Sequence, residues 1–113
     1  MKGYYHKNLA SVKWHKMSFL KQMANIGSEV SRAYSWKNEG DREEMLNSFY
    51  RALELLDLSI NDKKNQRHLS EILCLREVLS AQFWSSNSDS HLIKIDPLLI
   101  KNYFLPFAIA SRA

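Results

Sequence analysis

The chain has 113 residues, 45% of them hydrophobic, which is enough for one closed core and too few for two. Three Gly, two Pro and no alternating β-branched stretch leave no source for the tight turns of a β sandwich or barrel, so the expected fold class is all-α. The formal net charge of +4 is unevenly placed: residues 1–28 hold Lys2, Lys7, Lys13, Lys16 and Lys21 and no acid, while the remainder sets 11 basic against 12 acidic side chains.

In chain order, residues 1–16 show no clean hydrophobic period and read as a basic, aromatic arm, leaving 17–113 as the helical domain. Ser18 is a suitable N-cap. Beyond it Phe19, Met23, Ile26, Val30 and Ala33 recur at spacings of four and three, one face of a helix that runs to about Glu39. Gly40 then supplies the left-handed position that ends it. Asp41 caps a second helix, with Glu43 and Glu44 at the positive end of its dipole. Its stripe of Met45, Phe49, Ala52, Leu56 and Ile60 is widened by Leu46, Leu53 and Leu55, which predicts a central helix with neighbours on more than one side.

The polar run 61–65 reads as a turn into a third helix from about Gln66 to Trp84, with Leu69, Ile72, Leu73, Leu75, Leu79 and Phe83 as its buried stripe. Residues 85–90 read as a loop. Asp96-Pro97 is a helix start, since Pro at N1 gives up no hydrogen bond, and the fourth helix holds Leu98, Leu99, Tyr103, Phe104 and Phe107. Pro106 costs roughly 3 kcal/mol inside a regular helix, so a kink or break is expected near Asn102. Short links make such helices fold back on one another, and the expected architecture is an antiparallel up-and-down four-helix bundle with a basic N-terminal arm and a kinked last helix.

Cys74 has no partner for an intramolecular disulfide and lies in an apolar run, so a buried thiol and a reducing, cytoplasmic location are expected. The first ten residues lack the apolar run of a signal peptide. The most apolar stretch, 92–110, is broken by Lys94, Asp96, Pro97, Lys101 and Pro106, and no membrane association is expected.

Four constellations bear on function. Glu54 and Asp57 share a helix face, and Glu29 and Glu71 could approach them; oxygen ligands of this kind suit Mg²⁺, as in helical nucleotide pyrophosphatases. Arg32, Arg51 and Arg76 recur at the same level, and no Glu-x-x-His or Glu-x-x-Glu repeat is present, so a structural ion-pair network of Glu29, Arg32, Arg51, Glu54, Asp57 and Arg76 is preferred and no metal or cofactor is expected. Arg67 and His68 could serve a ribonuclease as charge stabiliser and general acid or base, but adjacent helical residues point about 100° apart. No catalytic residue is therefore assigned.

Nucleic-acid contact is expected from Lys2, Lys7, Lys13, Lys16 and Lys21, interleaved with Tyr4, Tyr5 and Trp14, and from Lys63, Lys64 and Arg67 if these fall on the same side. The alternative is a solvated tail whose Trp14 folds back on the bundle. Finally, Tyr34, Trp36, Tyr50, Trp84, Tyr103 and Phe104 exceed what one small core easily encloses, and either form an interface or fill the bundle. Gly27 and Ser31, four apart, permit a close helix approach.

The runs Asn25-Ile26-Gly27-Ser28-Glu29-Val30, Arg51-Ala52-Leu53-Glu54-Leu55-Leu56-Asp57-Leu58 and Leu75-Arg76-Glu77-Val78-Leu79 resemble those of a group of short prokaryotic helical proteins, over roughly residues 17–81. More loosely, the chain resembles helical bundles associated with minimal nucleotidyltransferases and the HEPN superfamily, a resemblance that implies an all-helical fold and, for HEPN proteins, ribonuclease activity. No Arg here precedes a His by the one helical turn that HEPN ribonucleases use. The leading expectation is a non-enzymatic interaction module that self-associates or docks on a protein or nucleoprotein assembly. The alternative is a Mg²⁺-dependent enzyme acting on nucleotides or RNA.

Overall fold

The computed structural model of the protein describes residues 8–83 and 95–112. Over these residues the chain forms α1 (Asn8–Lys16), α2 (Phe19–Asn38), α3 (Arg42–Ile60), a 3₁₀ segment (Lys63–His68), α4 (Leu69–Phe83) and α5 (Pro97–Ser111). No strand occurs among the described residues.

Side chains fix the helix limits. Ser18 Oγ accepts from the Lys21 amide at 3.2 Å to open α2, and Gly40, at φ +78°, closes the turn after it. A Cβ at Gly40 would meet nothing within 4 Å, so glycine is required there for its dihedral angle and not for space. Asp41 Oδ1 accepts from the Glu44 amide at 3.1 Å to open α3. The predicted stripes face inward: Met23, Ile26, Val30 and Ala33 of α2 meet Met45, Phe49, Ala52, Leu55 and Leu56 of α3 in one core. The wide apolar face of α3 is explained by its neighbours, since α1, α2, the 3₁₀ segment and α4 all pack on it.

Four expectations need correction. Residues 8–16 are helical although their hydrophobic pattern has no period, because one residue anchors them: Trp14 is 4% exposed and its indole Nε1 donates to Ser59 Oγ at 3.0 Å. The third helix begins at Leu69, three residues later than expected, because Asp62 Oδ1 accepts from the Lys64 amide at 3.2 Å and caps a tighter 3₁₀ turn first. Cys74 and Leu73 are exposed, not buried. The core face of α4 is Ile72, Leu75, Leu79 and Phe83, and residues 73 and 74 lie about 100° and 200° round the helix from Ile72.

The fourth correction concerns α5, in which the expected break does not occur. It packs mainly on α2, and its Tyr103 hydroxyl donates to Glu71 of α4. Asp96 caps it, Oδ1 accepting from the Leu98 amide at 2.9 Å, and the helix runs on through Pro106 to Ser111 without a break. The α2–α5 crossing is close because Gly27 has no side chain: a Cβ there would lie 2.9 Å from Phe104 Cβ. Burying Phe104 in this contact contributes about 2 kcal/mol. The loop expected at residues 85–90 lies outside the described residues.

Candidate functional site

Where α1, the start of α2, the end of α3 and the 3₁₀ segment meet, buried polar groups form a network. Gln22, Ser59 and Asn65 are fully buried. Gln22 Nε2 donates to the Trp14 carbonyl (2.9 Å) and to Asp62 Oδ2 (3.0 Å). Asn65 Nδ2 donates to Gln22 Oε1 (2.7 Å) and to the Ser59 carbonyl (3.1 Å), and Ser59 Oγ donates to the Leu55 carbonyl (2.9 Å). The Lys64 ammonium donates to Asp62 and, at 2.9 Å, to the His15 carbonyl, while His15 Nδ1 lies 3.1 Å from Asp62 Oδ2. Burial pushes the Asp62 carboxyl up, but the hydrogen bonds from Lys64, Gln22 and His15 outweigh it and hold the group well below the usual carboxylate range.

The elements tied together by this network carry exposed cations. Lys13 and Lys16 of α1, Lys21 of α2, and Lys63 and Arg67 of the 3₁₀ segment are all exposed on the elements it ties together. Lys64 is committed to Asp62 and His15. Asp62 is the one acid in residues 8–28 and 61–68, and it is buried. Trp14 is also buried, so its ring offers no face for base stacking. Lys2 and Lys7 lie outside the described residues.

The other candidates separate. Arg67 is exposed, whereas the His68 ring is stacked on Phe19 at 3.9 Å between centroids, with its Nδ1 3.5 Å from Glu71 Oε1; the pair does not converge. Glu29 pairs with Arg32, and Arg51 lies 3.9 Å from its second oxygen. Arg76 Nε donates to Asp57 Oδ1 at 2.9 Å, and Glu54 is buried on α3. Among the described residues no three His, Cys, Asp or Glu side chains come together as metal ligands. The aromatic set lies mostly against the core: Phe104 is buried, and Tyr34, Trp36, Tyr50 and Tyr103 are half-buried, while Trp84 lies outside the described residues. The Tyr34 hydroxyl is buried without a partner, and that burial pushes its pKa up to about 12.

The apolar surface is aliphatic instead. Leu98, Leu105 and Ile109 of α5 are 57%, 49% and 59% exposed, and their spacing of seven and four places them on the side opposite Ile100 and Phe104. Beside them, between α2 and α5, lies a groove of about 440 Å³. Its α2 wall combines small residues (Ala24, Gly27, Ser28, Ser31, Ser35) with Val30, Tyr34 and Asn38, and Lys101 is the one charged residue among those that line it. A second, shallower apolar pocket of about 390 Å³ lies between α4 and α5, lined by Cys74, Val78, Ile95, Leu99 and Tyr103. The Tyr103 hydroxyl donates to Glu71; burial and that carboxylate together hold the phenol well above its ordinary value. The sequence carried a signal for the α5 surface: apart from Lys101, Asn102 and Ser111 the helix is almost wholly apolar, more than one packed face covers.

No helix among the described residues is long and apolar enough to cross a membrane. Compared with protein-family models, curated proteins and solved structures, the chain matches none.

Proposed function

We propose that the protein is a non-enzymatic helical interaction module that docks on a protein or nucleoprotein assembly and contacts a nucleic-acid backbone at the corner formed by α1, the start of α2 and the 3₁₀ segment. The observation that carries this reading is the Lys64 bridge to the His15 carbonyl, which holds the two basic stretches of the chain side by side. Lysines and an arginine over a buried, neutralised Asp62 suit phosphate oxygens, and the burial of Trp14 favours backbone contact over base stacking. The scaffold we infer is antiparallel, because connections as short as residues 39–41 make successive helices fold back, with Pro106 bending α5 near Asn102.

Gel-shift titration against salt tests the reading. With five exposed cations engaged, the slope of log K against log salt is expected near about −4, and Lys63→Ala with Arg67→Ala should reduce its size by about 2 while affecting all sequences alike. Binding that is unchanged in a variant lacking Lys13, Lys16, Lys21, Lys63 and Arg67 would remove nucleic acid from the function. The Mg²⁺-dependent alternative predicts hydrolysis of nucleotides or RNA that is lost in Glu54→Gln.

A further inference from the structure

We propose that the exposed side of α5 pairs antiparallel with the same helix of a second copy of the chain, giving a weak two-fold dimer centred between Asn102 and Leu105. This goes beyond docking on a foreign assembly and does not depend on the basic corner.

The pattern of the exposed stripe leads to this occupant. Facing away from Ile100 and Phe104, the residues Leu98, Asn102, Leu105 and Ile109 follow one another at alternating steps of four and three, the repeat of a coiled-coil seam. All four are exposed. Run antiparallel, the seam meets itself as a two-fold axis requires: Leu98 comes opposite Ile109 of the copy, and Asn102 opposite Leu105. In that register the two Asn102 side chains stand on either side of the axis, about 4.5 Å apart along it at the helical rise. An amide carries both the donor and the acceptor that its own like needs, and a single Asn within an apolar seam serves to fix register.

The ends of α5 add charge complementarity. Asp96 Oδ1 accepts from the Leu98 amide at 2.9 Å, which holds the carboxylate on the seam side of the helix start. Arg112 is exposed at the next seam position after Ile109. Antiparallel pairing brings Asp96 within one residue of the level of Arg112 of the copy, at both ends of the dimer. Lys101 falls opposite Ala108 instead of its own like. A parallel pair would set Arg112 against Arg112 and leave Asp96 at the far end.

Area sets the strength. Leu98, Leu105, Ile109 and the flanking Leu99 are 57%, 49%, 59% and 62% exposed, roughly 400 Å² of aliphatic surface per chain, the size of patch that marks an interface. Two such faces with their polar flanks approach ~1,200 Å² in total, the lower end of specific interfaces, so a dissociation constant of roughly 10–100 μM is expected.

Sedimentation equilibrium of the full chain from about 1 μM to about 1 mM should show a monomer passing into a dimer. Leu105→Asp and Ile109→Lys, both at exposed positions, should each weaken it more than about tenfold while circular dichroism shows the fold kept. Asp96→Asn retains the helix cap and should weaken the dimer about threefold and remove most of its salt dependence. Disulfides in a Cys74→Ser background read the orientation: Leu98→Cys mixed with Ile109→Cys should link the two chains, and neither variant should link to itself. A chain monomeric at the highest concentration, a dimer indifferent to Leu105→Asp and Ile109→Lys, or Leu98→Cys linking to itself overturns the proposal. So does flotation with anionic vesicles in the absence of any dimer, which would give the face to a lipid surface. Gel shifts keep the two readings apart, since a dimer that shifts no nucleic acid overturns the basic corner alone, and a monomer that shifts it overturns the dimer alone.

Discussion

Two neighbouring stretches of α2 are held by opposite means. At its start, Gln22 is gripped by directed hydrogen bonds from a buried polar network that includes Trp14, Asp62 and Asn65. One turn beyond, Gly27 meets Phe104 through bare contact, with no hydrogen bond at the crossing point. Directed bonds fix a single arrangement of four elements and penalise any missing member, because an unpaired buried group costs more than a bond gains. Contact at a glycine fixes only how near two helices come. The first region is therefore built to be unique, and the second to be adjustable in everything but distance.

Substitutions can separate these two modes. The largest effect is expected for Trp14→Ala, which removes a buried aromatic and leaves the Ser59 hydroxyl without its indole donor; about 3–5 kcal/mol should be lost in urea unfolding, with Trp14→Phe recovering most of it. Asp62→Ala comes next, at about 1–3 kcal/mol, since Gln22, Lys64 and His15 lose their shared acceptor. Asp62 also predicts a pH dependence. Its carboxyl is held below its unfolded value of about 3.9, so its contribution is complete above that pH and disappears as the pH falls toward the folded value. Thermal melts of the wild type should thus drop more steeply below about pH 4 than those of Asp62→Asn.

In the apolar region effects should be smaller and coupled. Gly27→Ala places a Cβ 2.9 Å from Phe104 Cβ, a clash worth about 1–3 kcal/mol that is partly offset by about 1 kcal/mol of improved helix propensity. The double variant with Phe104→Ala, which removes the Cγ and Cδ1 that the new methyl would meet, should lose less than the two single losses together. If instead the two add fully, the crossing is looser than the geometry indicates. Arg76→Ala, which opens a half-exposed pair with Asp57, belongs at the bottom of the scale at about 0.2–1 kcal/mol.

What the sequence revealed follows the same division. Periodicity located α2 and α3, and the caps Ser18, Asp41 and Asp96 with the Gly40 stop placed helix ends closely, because these signals are local. The helix at Asn8–Lys16 carried no such signal. It is secured by Trp14 reaching Ser59, 45 residues away, and a single anchor has no period. Cys74 misled for a related reason: a run of apolar residues reveals that one side of a helix is buried, but not which side. The basic residues were visible as types, whereas the Lys64–His15 bond that ties the 3₁₀ segment to α1 joins segments far apart in sequence. The groove escaped because its α2 wall is largely serine, alanine and glycine, which announce nothing, and because it is defined by a neighbouring helix.

Cys74 stands alone in the sequence and at the surface of α4. Covalent linkage through sulfur is therefore limited to one bond per molecule: oxidation can join two chains and then has nothing left to react. A thiol-directed dye or spin label would accordingly report from a single known place beside Tyr103, without engineering of any other position.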